Sequence, residues 1–366
     1  MNESDNETAA DIDPIFATPT NIRIAASICA TISVAGITAS GLVTFAFLKH
    51  HKLRNQFTIL CVSLAVADIG VLLIFLLWAV PMTITQSSAS FEFPGMKVGQ
   101  VSLMFWFAGL YNTLSIAVNR FSAIASPAKY KIVFSWRNTF ILIATCWGLA
   151  CLHEITYLFD GCDFFYDNTV FVWAYSTSYC GQMIGWILDL GYGVLFFVLV
   201  FTFNISTFYK IRKANRIMGK QQQPTGVSAA ASNQNQLNHE RRRQAEIRLF
   251  KLALIHSGIF ELMLLSFHVF SRLTTDPWGI FVTTTVMWQV AHASNGYIYI
   301  VFNRDVRHTV RDALRSVLAA CRLVDKPAEQ SNVVTMIKEH SLGTVVSMDK
   351  RGVDHGIRHS HVAKHS

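Results

Sequence analysis

Charge is scarce in this 366-residue chain: 15% of residues are Asp, Glu, Lys or Arg, against 52% hydrophobic. Such a balance excludes an ordinary soluble domain and points to a membrane protein. No Lys or Arg precedes Arg23, and the first 22 residues carry Glu3, Asp5, Glu7, Asp11 and Asp13 without an apolar stretch. No cleaved leader is therefore visible, and the first apolar run is expected to act as the insertion signal. The seven cysteines lack zinc-type spacing; Cys29, Cys61, Cys146 and Cys151 lie in apolar runs, where a small buried thiol is ordinary. The chain has no phosphate-binding glycine loop, metal triad or nucleophile–base set, so an enzyme, a cofactor and a metal site are all unexpected. The formal charge of +8 sits in segments between apolar runs. That distribution reads as membrane topology and argues against a nucleic-acid partner.

What the chain does have is apolar length. About 20 apolar residues cross the hydrocarbon core, and seven runs qualify: 24–48, 57–84, 98–123, 139–159, 182–209, 249–273 and 278–302. Short connections between them force antiparallel neighbours. The expected fold is an all-α membrane protein, a seven-transmembrane helix bundle over 23–303, with a short amphipathic helix after the seventh span. Orientation follows from Lys and Arg: 28 of 31 fall at the inner loops and after the last run, leaving only Arg23, Lys97 and Arg272 outside. The N-terminus is then extracellular and the C-terminus cytoplasmic. Residues 1–22 form an extracellular acidic tail with glycosylation sequons at Asn2 and Asn6, the alternative being an unmodified tail. The third inner loop is rich in Gln, Asn, Ser and Ala, and disorder is expected over 219–240. Over 304–321, Arg304, Arg307, Arg311 and Arg315 oppose Val306, Val310, Leu314 and Val317, the pattern of a helix on the inner membrane surface. Cys321 is a palmitoylation candidate, an unmodified thiol being the alternative, and 322–366 reads as a disordered cytoplasmic tail.

Several motifs fall inside the runs. Asn119-Arg120-Phe121 ends the third, followed by Ala123-Ile124, Pro127 and Tyr130; Leu64-Ala65-Val66-Ala67-Asp68 lies in the second; Asn295-Gly296-Tyr297-Ile298-Tyr299 lies in the seventh and runs into Phe302-Asn303-Arg304. Together they resemble the Asp-Arg-Tyr, Leu-Ala-x-x-Asp and Asn-Pro-x-x-Tyr motifs of rhodopsin-like G-protein-coupled receptors. Lys129-Tyr130-Lys131, Phe134-Ser135 and Cys162-Asp163-Phe164-Phe165-Tyr166 resemble more narrowly the nematode Srx chemoreceptors. The likeness extends from about Phe57 to Arg307. It implies that Asn119, Arg120, Phe121, Asn295 and Tyr299 serve coupling and switching, that Asp68 and Asn295 belong to an intramembrane polar network, and that Glu246 pairs with Arg120. Sodium at Asp68 is not carried over, because Ser40 or a neighbour replaces the first-helix asparagine and Gly109 replaces the usual third-helix serine. Gly296 stands for the proline, so a softened seventh helix is expected, and the sixth run, 249–273, contains no proline at all.

Relatives of that kind tie the second outer loop to a cysteine at the outer end of the third helix. Here that position is Gly95, and no cysteine lies between Thr85 and Val118. Cys162 and Cys180 instead frame two strand-like runs around Asp167-Asn168. A hairpin closed by its own disulfide is the simplest reading, worth about 3 kcal/mol in the chain-entropy model; two free thiols are the alternative. Candidate ligand contacts in the outer halves of the helices are Trp78, Ser102, Trp106, Asp189, Glu261, Thr285, Trp288 and Gln289. Asp189 and Glu261 stand out, since an intramembrane carboxylate must be paired, protonated or open to a water-filled cavity.

The resemblance implies a plasma-membrane receptor, of a sensory cilium in a chemosensory cell, that binds a small molecule or short peptide and activates a heterotrimeric G protein. A neuropeptide or amine receptor of the same fold is the near alternative; a ligand-gated seven-helix channel or transporter is the distant one. Because Asn119 replaces the acid beside the arginine, Arg120 is expected to be less restrained and basal signalling higher. Asn119→Asp should lower ligand-free G-protein dissociation at equal surface expression, and an unchanged basal output refutes that role.

Overall fold

Four of the breaks between apolar runs carry a polar side chain that satisfies a helix end. Asn55 Oδ1 accepts the Thr58 amide at 3.0 Å, Ser135 Oγ the Asn138 amide at 3.4 Å, Ser178 Oγ the Gly181 amide at 3.0 Å, and Asp276 Oδ2 the Gly279 amide at 2.8 Å. Four helix starts are thereby set by short-range chemistry. The computed structural model describes residues 16–49, 55–221 and 254–324. Within them α1 is Pro19–Lys49, α2 Gln56–Thr85, α3 Phe93–Ala125, α4 Trp136–Leu158, α5 residues 179–221, α6 Leu254–Leu273 and α7 residues 277–302, followed by α8, Arg304–Val324. A short helix, Pro127–Val133, lies between α3 and α4.

Six of the rods are long and apolar enough to cross a membrane by length and composition. The seventh, α7, carries Gln289, His292 and Asn295, all buried, along its inner face. Large apolar side chains stay exposed around the bundle, among them Leu77, Phe140, Ile141, Val198 and Val301. In water that surface would be a liability; against acyl chains it needs no partner.

Several boundaries differ from the sequence reading. α1 begins at Pro19, inside the segment read as tail. α5 continues to Gln221, so residues 219–221, read as the start of a disordered segment, are helical. α8 runs to Val324, past 321, which places Cys321 within the helix. In each case hydrophobicity marks the membrane limit, while the backbone ladder continues into polar residues. Asn2, Asn6, Glu246 and the tail after 324 lie outside the described residues.

Three rods contain a π segment: Phe75–Ala79 in α2, Ile184–Gly191 in α5 and Val282–Val286 in α7. In α2 it contains Leu77, the residue four before Pro81, whose ring cannot tolerate a regular i−4 carbonyl. In α5 it holds Asp189 facing inward, where the carboxylate is buried.

The hairpin closes the outer end. Strands β1, Phe164–Asp167, and β2, Val172–Tyr175, pair antiparallel with Phe164 opposite Tyr175 and Tyr166 opposite Trp173. Cys162 and Cys180 are joined, with Cα atoms 5.0 Å apart. A Cβ at Gly95 would lie 2.0 Å from the Ala89 carbonyl oxygen, so a cysteine has no room there. Tyr166 Oη meets Thr83 Oγ1 at 2.7 Å, Asn168 Nδ2 donates to Ser87 O at 2.9 Å, and Lys97 pairs with Asp163 at 2.9 Å. These contacts hold Phe164, Tyr166 and Trp173 in the outer apolar cluster with Trp106, Phe281 and Trp288. A second cluster, nearer α8, gathers Phe47, Leu60, Ile116, Phe134, Tyr299, Val306 and Val310.

α1 and α7 approach through small residues. A Cβ on Gly296 would sit 2.6 Å from the Ser40 backbone nitrogen and 2.9 Å from Ala39 Cβ. Gly296, read from the sequence as a softener of the helix, is thus required first by close packing, since backbone cannot yield as a side-chain tip can. Gly296→Ala should destabilise by about 1–3 kcal/mol through overpacking, lowering Tm in detergent. Gly41→Ala is the control, since nothing lies within 4 Å of its would-be Cβ; equal Tm changes for the two variants would contradict this account.

Candidate functional site

The site begins at Asp68, fully buried on α2. An unpaired carboxylate there would cost several kcal/mol, and two side chains of α7 meet it. His292 Nδ1 lies 2.8 Å from Oδ1, and Asn295 Nδ2 donates to Oδ2 at 2.6 Å. Trp288 Nε1, which can only donate, reaches His292 Nε2 at 3.1 Å. His292 Nε2 therefore accepts, and its ring proton lies on Nδ1, directed at the carboxylate. Trp288, His292 and Asn295 follow at spacings of four and three, which puts all three on one helix face.

A second carboxylate–imidazole pair lies toward the outer side. Asp189 on α5 accepts from Trp106 Nε1 of α3 at 3.1 Å through Oδ1, and meets His268 Nε2 of α6 at 2.9 Å through Oδ2. One buried carboxylate thus ties three helices. Trp106 bridges the two pairs: its ring stacks on Phe260 with centroids 5.5 Å apart and meets the His292 ring edge-on at 5.8 Å. Phe260 also touches His292, at 5.4 Å.

Two cavities open on this assembly. The deeper, about 20 Å³, is lined by Leu103, Trp106, Phe164, Asp189, Met263, Leu264, Phe267, His268 and Trp288. The outer, about 230 Å³ and open to solvent, lies among β2, α5, α6 and α7 and shares Phe267 and His268 with the first. Hairpin and bundle together enclose a chamber whose outer part, at about 230 Å³, comes near the lower end of small-molecule sites.

Of the candidate ligand contacts, Trp106, Asp189 and Trp288 line the deeper cavity. Thr285 Oγ1 donates to Phe171 O at 2.9 Å and so anchors the hairpin turn, while Gln289 Nε2 donates to Ser33 Oγ at 3.0 Å and Cys29 O at 3.2 Å across α1. Trp78 packs half-buried against the outer cluster and Ser102 is fully buried on α3. Glu261 faces a different cavity between α3, α5 and α6, away from Asp189. Sequence reasoning missed His268 and His292. Both are ionisable residues inside apolar runs, the same signal that singled out Asp68.

At the other end, Arg120 lies with its guanidinium 4.7 Å from the Phe57 ring and lines a third cavity with Asn204, His256 and Tyr299. Tyr299 Oη donates to Cys61 Sγ at 3.1 Å, and Asn119 Nδ2 reaches Tyr130 Oη on the short inner helix at 3.4 Å. Phe121 packs against Phe203 of α5 at 5.6 Å. The residues around Arg120 thus join α2, α3, α5, α6 and α7 at one place.

Seven rods, a hairpin lid, and cavities at both ends joined by buried polar groups define a seven-helix receptor. The family model for the serpentine type 7TM GPCR chemoreceptor Srx matches residues 31–303, and the chain belongs to that family. It is 22% identical over 330 residues to serpentine receptor class X 45 of Caenorhabditis elegans, covering 86% of this chain and 87% of that protein. It is similar also to the adenosine receptor A2a of Canis lupus familiaris, 24% identical over 78% of this chain and 70% of the relative. The crystal structure of squid rhodopsin shares the fold, with a TM-score of 0.66, 17% identity, and coverage of 82% and 87% of the two chains. The family and these relatives are receptors, not enzymes.

His292→Phe removes one of the two bonds to a fully buried carboxylate. The expected loss is on the order of 3–5 kcal/mol, read as a lower Tm in detergent. Asp68→Leu combined with His292→Phe should lose less than the sum of the single changes. Strict additivity would show that the two side chains do not act as a pair.

Proposed function

We propose that this G-protein-coupled receptor binds a small chemical in the chamber beneath the hairpin and transmits occupancy to a heterotrimeric G protein at the Arg120 end. The observation that carries the reading is the unbroken series of buried contacts from His268 and Asp189, through Trp106, Phe260 and His292, to Asp68 and Asn295. A ligand touching His268 or Phe267 acts on α6 directly. Displacing α6 disturbs the Phe260 stack on Trp106 and with it the packing of His292. Occupancy then shifts a pre-existing equilibrium toward a form whose inner cavity admits the G protein. Arg120, Tyr299 and, from the uncharted segment, Glu246 are the switch residues of this scheme; an Arg120–Glu246 ion pair holds the resting form.

The receptor sits in the plasma membrane, in a chemosensory cell in a sensory cilium, with the acidic tail outside and the tail after α8 inside. Membership of a chemoreceptor family and the Lys and Arg asymmetry support this placement. A ligand panel with G-protein dissociation as readout tests the scheme. Arg120→Ala should abolish ligand-driven dissociation while ligand binding at the outer cavity persists. Wild-type coupling by Arg120→Ala, or ligand-gated current in cells lacking G proteins, would overturn it.

A further inference from the structure

The chemistry of the outer cavity points to the charge of its ligand. The nearest buried carboxylate, Asp189, lies behind His268 in the deeper cavity and is already engaged through both oxygens, by Trp106 on one and His268 on the other. A cationic ligand would have to displace the imidazole to reach it. At the rim the situation is reversed. Arg272, on the turn that ends α6, lines the cavity with its guanidinium 4.6 Å from the Trp186 ring of α5. No carboxylate pairs with Arg272 among the described residues. The nearest acid in sequence, Asp276, caps α7 and forms no ion pair with Arg272. Lys97, another outer cation, is paired with Asp163. The cavity therefore presents an exposed guanidinium at its mouth and aromatic walls, Trp173, Tyr175, Trp186 and Phe267, below it.

We propose that this cavity selects small organic anions, with a carboxylate held by Arg272 and an aromatic or alkyl body packed between β2 and α6. A guanidinium matches a carboxylate through two parallel N–H bonds. Stacked on Trp186, its plane is already restrained, so less side-chain freedom is lost on binding. His268, whose Nε2 meets Asp189, lines the same cavity and offers its ring edge to the ligand body. The inference rests on the chamber being the ligand site, and it goes further by fixing the charge of what enters.

The test uses the full-length receptor in detergent or nanodiscs for binding, and in cells for G-protein dissociation. The probes are phenylacetate, indole-3-acetate and octanoate, set against phenylacetamide, phenethylamine and the methyl esters. The acids should bind at least tenfold more tightly than their uncharged counterparts. Arg272→Gln should weaken acid binding at least tenfold and leave the amides unchanged, and Arg272→Lys should recover part of the loss. Amine binding in preference to acid, acid binding indifferent to Arg272→Gln, or no acid bound at millimolar concentration would each overturn the proposal. Acid binding that depends on Arg272 without G-protein dissociation would uphold the site and refute the signalling scheme. Dissociation driven by an amine alone would do the opposite.

Discussion

A carboxylate deep in an apolar bundle must be answered by donors, and the whole helix arrangement follows from how Asp68 is answered. Its two oxygens take hydrogen bonds from His292 and Asn295, both on α7. That fixes α7 against α2 in one rotational setting, because a helix turned by one residue would move both donors off the face by about 100°. The same setting brings Gly296 under the Ala39–Ser40 backbone of α1, where only hydrogen fits. It also brings Trp288 into the outer cluster against Phe75 and Trp173. One electrostatic requirement, met from a single helix face, thus orders three rods and the underside of the lid.

The fold was largely legible because its cause is one-dimensional. Apolar length and the placement of Lys and Arg are properties of the chain in order, and they set the number of rods without reference to tertiary contacts. The hairpin was legible for a similar reason, since Cys162 and Cys180 frame a turn. The pocket was less so. Thr285 and Gln289 look like ligand contacts in a helical projection, but the structure commits one to the hairpin carbonyl and the other to α1. Glu261 and Asp189 look equivalent as intramembrane acids. They differ only because the π segment of α5 turns Asp189 toward Trp106 and His268, while Glu261 on α6 faces elsewhere. Such distinctions depend on which side chains arrive from other helices, and no periodicity carries that.

His268 and His292 show the same limit from the other side. Each completes a buried carboxylate, and each was invisible beside the more familiar motif residues. A physical rule would have found them: a membrane bundle with two buried acids, and no lysine or arginine within reach of them, must supply donors of another kind, and histidine, asparagine and tryptophan are those available. The present structure uses all three. Both carboxylates are bound by one imidazole and one neutral N–H group, which leaves the guanidinium of Arg120 out of either pair.

That division of labour bears on how the two ends communicate. If Arg120 were tied to Asp68, movement of α6 would have to break an ion pair in the centre of the bundle. Instead the centre is held by aromatic faces, Trp106 on Phe260 and both against His292. Stacked rings slide at small cost until they lose overlap, whereas buried ion pairs resist separation from the first displacement. A bundle built this way locks α2 to α7 through Asp68, while α6 meets α3 there through ring faces and is tied to it farther out through the Trp106–Asp189–His268 bonds. The outer cavity touches α6, through Phe267, His268 and Arg272. A ligand that spans β2 and α6 therefore acts on the imidazole that joins α6 to α5 and, through Asp189, to Trp106 of α3.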